Sequence, residues 1–378
     1  MASRASPAGR VPPPLVAPDS IAIRVGLMEL GYQQLNIYDS AGWLNIDLLA
    51  DSGAVLIVLI GARRIGKTYG VLYKYLKERR RVLYLRLSKV QLDRCASGDN
   101  NPFSPPASAL GLDTVFEQSG ETYQCREVLA RENGKVTEYG ETLAQGSSVF
   151  STRGIASGLY DAIVFDEFIP ERGAIERKDA GYNLKSAIQT VTDVNTSNIQ
   201  CWLLANSNNL DSDVLNEFDL IPVYEELRIS GNNAWFNGSI LCIDAKNSPV
   251  SAELAKTQLG QILNTGTYGA MAFDNDWSNN FSNVGKLSGQ VLREYADIII
   301  IGDIKIMGHK SDARYYVRSC KSPPRNVHRL EVNAETPRKC SAILSPLIYS
   351  VWNGGVQYDS FDTKRKFNNY VLGGKYKL

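Results

Sequence analysis

Four short, mostly apolar runs stand out along a chain of otherwise mixed polarity: residues 55–60, 82–87, 162–165 and 199–205. None alternates with period two. Runs of this length without alternation predict strands buried on both faces, as in a parallel sheet. Segments of helical length separate them, beginning with residues 67 to about 80, at whose end stand Arg79, Arg80 and Arg81. Cations suit a helix C-terminus. Buried strands alternating with helices predict a doubly wound α/β domain, whose ligand belongs at the carboxyl ends of the strands. Residues 115–138 do alternate, around Asn133-Gly134, and predict a two-stranded hairpin. Residues 88–109 carry Asn100, Asn101, Pro102, Pro105 and Pro106 and predict a loop or insertion. Pro12, Pro13 and Pro14 predict an extended or disordered arm over residues 1–20. Residues 21–50 predict a helix and a turn packed on the main domain. Further along, residues 251–263 predict a helix, and residues 297–307 and 314–317 predict strands.

The first apolar run leads directly into Gly61, Ala62, Arg63, Arg64, Ile65, Gly66, Lys67 and Thr68, a complete G-x-x-x-x-G-K-[ST] pattern at a strand-to-helix junction. Gly61 and Gly66 let the backbone turn and bring its N–H groups close to phosphate oxygens, and the following helix N-terminus favours negative charge. Lys67 then reaches the β- and γ-phosphates of a nucleotide, and Thr68 ligates Mg²⁺. The loop residues between the glycines, with Tyr69 just after, complete the nucleotide-binding candidates. The third run ends in Asp166 and Glu167. Beside a phosphate loop, Asp166 holds Mg²⁺ and Glu167 polarises the attacking water; without one, the pair is a solvated loop. The fourth run ends in Asn206, either a γ-phosphate sensor or a turn former before Ser207-Asn208-Asn209.

Composition narrows the classes. Formal net charge is +1, so any nucleic-acid contact rests on local patches, not on a global positive field. Six cysteines form no C-x-x-C pair and there are two histidines, which excludes the usual zinc spacings and suits reduced, mostly buried thiols in a reducing cytosol. No apolar run is long enough for a membrane span, and residues 1–20 lack the apolar core of a signal peptide.

Five stretches, GARRIGKTYG, IVFDEFIPE, LLANSNN, GTYGAMAFDND and WNGGVQYD, occur in this order. Together they resemble the DNA encapsidation ATPase of small podophages with protein-primed replication, from about residue 57 to the C-terminus. The resemblance implies an additional-strand, catalytic-glutamate ATPase using ATP and Mg²⁺. It also implies a homo-oligomeric ring, a pentamer, that sits at the portal of a prohead in the host cytoplasm and pumps double-stranded DNA inward. Some members of that family dock on a structural RNA. Implied domains are the arm (1–20), the ATPase domain (21–243), a linker domain (244–285) and a ribonuclease-H-like, nucleic-acid-binding domain lacking nuclease activity (286–378). Carried over by position, the phosphate-loop roles fall on Gly61, Gly66, Lys67 and Thr68, and metal binding and water activation on Asp166 and Glu167. A basic residue acting on the neighbour's ATP falls on Arg153, which is otherwise an exposed Arg on a loop. The family's arginine-bearing turn corresponds here to residues 193–200, DVNTSNIQ, which contain no Arg; that leaves the role to Arg153, alone or helped by Arg172.

In the last domain, Asp303, Glu331, Glu335, Asp359 and Asp362 are the acids available to a nuclease. None lies inside the apolar core of the first strand, which points to a vestigial centre. Lys305, Lys310, Arg314, Arg318, Lys321, Arg325, Arg329, Arg338 and Lys339, then Lys364, Arg365, Lys366, Lys375 and Lys377, form a basic stretch. It either contacts phosphate backbones non-specifically or is a solvated face. Two other functions fit the same motifs: a helicase-like or partition P-loop ATPase, and a nucleic-acid-binding module with a relic nucleotide site.

Overall fold

The computed structural model describes residues 29–373 apart from residues 97–99, 153, 171–177, 193–198, 208–209, 211, 266–268, 270–271, 274, 276–282, 323 and 325. Ten strands form the larger sheet: β1 (Gly31–Gln33), β2 (Leu56–Gly61), β3 (Val82–Arg86), β4 (Thr114–Ser119), β5 (Thr122–Glu132), β6 (Lys135–Ser148), β7 (Ala162–Asp166), β8 (Gln200–Ala205), β9 (Ala234–Phe236) and β10 (Ile240–Ala245). Their order is β1-β9-β10-β2-β8-β7-β3-β6-β5-β4. The six strands from β10 to β6 run parallel, and antiparallel strands extend both edges. All four apolar runs become strands of the parallel centre, buried along almost their whole length. The doubly wound α/β reading holds. β8 lies between the phosphate-loop strand β2 and the acidic strand β7, which is the additional strand that the resemblance implies.

Each face of this sheet carries its own core. On one side the Trp202 indole donates to the Tyr75 hydroxyl (3.0 Å), which donates to Gln200 Oε1 (3.0 Å). Burying such polar tips costs little once they are paired. On the other side Phe165, Phe168, Leu184 and Tyr224 pack together.

Several local expectations change. The alternating segment is a three-stranded meander, because a second turn at Gly120 (φ 65°) joins β4 to β5 ahead of the Asn133-Gly134 turn (φ 50° and 76°). The expected loop 88–109 contains helices Lys89–Cys95 and Ser104–Ala109. Ser88 and Gln91 form a capping box on the first. Pro105 sits in the first turn of the second, where a missing N–H costs nothing. The helix expected over 251–263 breaks into Pro249–Lys256 and Gln258–Leu263, because Thr257 leaves helical backbone and its hydroxyl caps the second piece at Gly260. The helix after the phosphate loop ends at Lys77, with Arg79 left-handed (φ 54°) just beyond, so Arg79 pairs with Glu127 rather than lying in the last turn. The boundary expected at residue 244 falls within β10, which pairs with β2 through Ala245↔Gly61.

A second sheet, β14-β11-β12-β13-β15, is built from β11 (Tyr295–Ile301), β12 (Ile304–His309), β13 (Tyr315–Ser319), β14 (His328–Leu330) and β15 (Val356–Tyr358). An antiparallel meander, β11 to β13, is flanked by a parallel strand on each side. Helices Thr336–Ile343, Ser345–Trp352 and Phe361–Val371 accompany it, giving the α+β character expected of this region.

Candidate nucleotide site

The register of the central strands sets the site. Ile60 pairs with Ala205 and Leu204 with Asp166. Gly61, Asn206 and Asp166 therefore leave the sheet at one carboxyl edge. The loop between β2 and helix Lys67–Lys77 closes tightly. Arg64 and Gly66 are both left-handed (φ 61° and 91°). A Cβ at Gly61 would lie 2.6 Å from Ile65 Cδ1 and 2.8 Å from Ala245 Cβ, so only glycine fits there. Ala62 and Ile65 point into the core, leaving the loop backbone with Arg63, Arg64, Gly66, Lys67, Thr68 and Tyr69 to face a cavity of about 390 Å³.

Lys67 is buried and donates to Gly61 O (2.8 Å), Ala62 O (2.6 Å) and Asn206 Oδ1 (3.0 Å). Burial pushes its ammonium down to about 7, Asp166 opposing and Arg63 adding to the fall. An anionic group beside it would favour the charged form. Asp166 accepts four hydrogen bonds: Thr68 Oγ1 (3.0 Å) and the Glu167 N–H (3.1 Å) on one oxygen, the Tyr84 hydroxyl (2.8 Å) and Arg86 (3.0 Å) on the other. The Thr68 and Asp166 oxygens are hard ligands side by side, a donor set that suits Mg²⁺. Glu167 has left-handed backbone (φ 53°), rare for a non-glycine residue and typical of functional positions. Its carboxylate is held by the second guanidinium nitrogen of Arg86.

Arg86 and Tyr84 are the residues that sequence reasoning missed. Both lie on β3 beside β7, and Arg86 is 8% exposed. The available signal was an arginine closing an otherwise buried strand, a position tolerated only when the charge is paired. Ala272 and Phe273 also reach the site: Ala272 O accepts from Arg63 N–H (3.1 Å). Asn275 bonds fully buried Asp244. Leu254, Leu259, Leu263 and Phe273 give the cavity an apolar part of its lining. Arg153 and Arg172 lie outside the described residues, as does most of DVNTSNIQ.

A sequence profile of the podovirus DNA encapsidation protein (Gp16) matches residues 38–290. The chain belongs to this family. The match takes in the phosphate loop, the acidic pair and the 272–275 segment; it starts before residue 57 and ends before β11. A DNA packaging protein of Bacillus phage B103 is 27% identical over 234 residues, covering 60% of this chain and 65% of that relative. Two solved structures share the fold. The bacteriophage Phi-29 viral genome packaging motor assembly has a TM-score of 0.54 at 19% identity, over 84% of this chain and 94% of that one. The Phi-28 gp11 DNA packaging motor has 0.53 at 14%, over 90% and 100%.

In the C-terminal sheet the candidate acids Asp303, Asp359 and Asp362 are engaged in ordinary contacts, Asp303 and Asp362 sharing Lys366. Asp303 bonds Lys366 and Tyr370, Asp359 accepts from Ser319, and Asp362 pairs with Arg365 and Lys366. Among the described residues no three His, Cys, Asp or Glu gather to hold a metal. The basic stretch is partly neutralised. Lys305 pairs with Asp297 and Arg314 with Asp312. Lys364, counted among the basic tail residues, is instead buried, which pushes its ammonium down to about 8. Lys375, Lys377 and Arg325 lie outside the described residues.

Proposed function

We propose that this chain is the ATP-hydrolysing subunit of a motor that moves double-stranded viral DNA into a preformed prohead. One observation carries the chemistry: Lys67, Thr68, Asp166, Glu167 and Asn206, from three strand ends, converge on one cavity. The family match supplies the biological setting. Thr68 and Asp166 would hold Mg²⁺, which neutralises phosphate charge. Lys67 leaves the carbonyls of Gly61 and Ala62 to meet the β- and γ-phosphates. Asn206, already bonded to Lys67, is placed to follow the γ-phosphate. Glu167, held by Arg86, must release that guanidinium before it accepts a proton from water. A neighbouring subunit completes the site with Arg153, in a homo-oligomeric ring at the portal, with a structural RNA as a further partner. The C-terminal sheet contributes nucleic-acid contact and no nuclease.

The test is ATP turnover by the full chain, with and without double-stranded DNA. Lys67→Ala and Glu167→Gln should each lower kcat by two or more orders of magnitude, as expected for phosphate-clamping and water-activating groups (on the order of 10²–10⁴). Turnover surviving both substitutions rejects the reading.

A further inference from the structure

Asp244, near the end of β10, is fully buried. An acid taken out of water is costly unless it is paired, and the chemistry above gives this one no task. Two groups hold it. The Lys246 ammonium lies 2.7 Å from Oδ2, and the Asn275 amide donates to Oδ1 (2.5 Å). Asn275 is itself fully buried and left-handed (φ 56°), a backbone conformation that Asn tolerates better than most residues.

This pair sits beside the root of the phosphate loop. β10 runs parallel to β2, with Asp244 opposite Ile60 and Ala245 opposite Gly61. Three residues before Asn275, the Ala272 carbonyl accepts from the Arg63 N–H (3.1 Å), inside the loop. Ala272 and Phe273 are buried and pack on Leu254 and Ala255. Ala272 and Asn275 therefore fasten one short stretch of chain at two points, one on the phosphate loop and one on β10. The loop needs such support. Arg64 and Gly66, just after Arg63, are both left-handed, and a loop bent this way loses affinity for each residue that a ligand must order. A carbonyl already seated on Arg63 does part of that ordering in advance.

We propose that Asn275 is a positioning residue for the phosphate loop: by bonding Asp244 it keeps the Ala272 carbonyl on the Arg63 N–H, and so sets the loop for a polyphosphate. It acts through that carbonyl rather than on the nucleotide. The proposal rests on the phosphate-loop reading above. It gives a physical task to the ordered motif GTYGAMAFDND, which contains both Ala272 and Asn275, and to the buried acid of β10.

The experiment is calorimetric binding of ATP and of inorganic tripolyphosphate to the full chain, to Asn275→Gly and to the reversed pair, Asp244→Asn with Asn275→Asp. Glycine keeps the left-handed backbone and removes only the amide. The reversed pair rebuilds the amide–carboxylate bond in the opposite sense. Asn275→Gly should weaken ATP and tripolyphosphate alike, by about tenfold, as for the loss of one ordering hydrogen bond. In steady-state turnover the loss should fall on KM, with kcat within about twofold of wild type. The reversed pair should recover most of the affinity. Hydrogen exchange gives a check that needs no variant: in the wild-type chain without nucleotide, the Arg63 amide should be protected. An Arg63 amide that exchanges freely would overturn the proposal. So would unchanged tripolyphosphate affinity in Asn275→Gly, or a loss that the reversed pair does not recover. Lower stability to urea with tripolyphosphate affinity intact would make Asn275 a packing residue only. Failure of ATP and tripolyphosphate alike to bind the wild-type chain would instead remove the phosphate-loop reading, and the role of Asn275 with it.

Discussion

At the scale of single residues, Arg86 is the hinge of the site's electrostatics. Its guanidinium joins two adjacent acids, Asp166, which we propose holds the metal, and Glu167, which we propose activates water. With Arg86 removed, Asp166 keeps Thr68 and Tyr84 but loses its countercharge in a buried setting, and breaking a buried pair from one side costs about 3–5 kcal/mol. Arg86→Ala should therefore lower the unfolding free energy obtained from urea denaturation by an amount in that range. It should also change basal ATP hydrolysis, because the guanidinium no longer holds the Glu167 carboxylate. Unchanged stability would mean that water replaces the guanidinium.

At the scale of elements, the approach of helix Ile46–Ala50 to the phosphate-loop helix depends on a missing side chain. A Cβ at Gly70 would lie 2.6 Å from Ile46 Cγ1. Alanine in a helix interior normally gains about 1 kcal/mol over glycine. Here overpacking of about 1–3 kcal/mol opposes it. Gly70→Ala should be destabilising, and Ile46→Ala in the same chain should recover part of the loss, a non-additivity read from a double-mutant cycle. Simple additivity would show that the two helices separate without cost. The same scale explains what sequence patterning could and could not give. β2, β3, β7 and β8 were legible because each is a contiguous apolar run. β10 was missed although its pattern is equally apolar, because a buried acid, Asp244, lies near its end; only its pairing with Lys246 and Asn275 makes that acceptable. The break at Thr257 was hidden by strong helix formers on either side, Leu254, Ala255 and Lys256 before it and Gln258 and Leu259 after it.

At the scale of the whole molecule, helix Phe361–Val371 ties the two sheets together. Its first residue, Phe361, is buried in the core of the larger sheet, and its N–H bonds Glu225 Oε1 (2.6 Å). Arg365 reaches Asn216 (2.7 Å). Phe367 and Val371, further along, belong to the core of the smaller sheet. Phe361→Ala should cost about 3–5 kcal/mol, as for other buried Phe truncations. In calorimetry it should split one unfolding transition into two, with the smaller sheet melting first. A single transition that only shifts downward would mean that the other contacts suffice to couple the sheets.

The sequence by itself determined the chemistry that lies in contiguous residues. The phosphate loop, the acidic pair, the parallel α/β core and the family's ordered motifs all follow from short-range spacing and from runs that must be buried. Tertiary structure alone decided which distant groups meet. Arg86 finds Asp166 and Glu167 across 80 and 81 residues because β3 lies beside β7. Trp43 overlies Gly66 because one bond pins its segment to the loop, and Ala272 closes on Arg63 from more than two hundred residues away. Strand order and loop closure fix those pairings, and neither is written in the periodicity of any single segment.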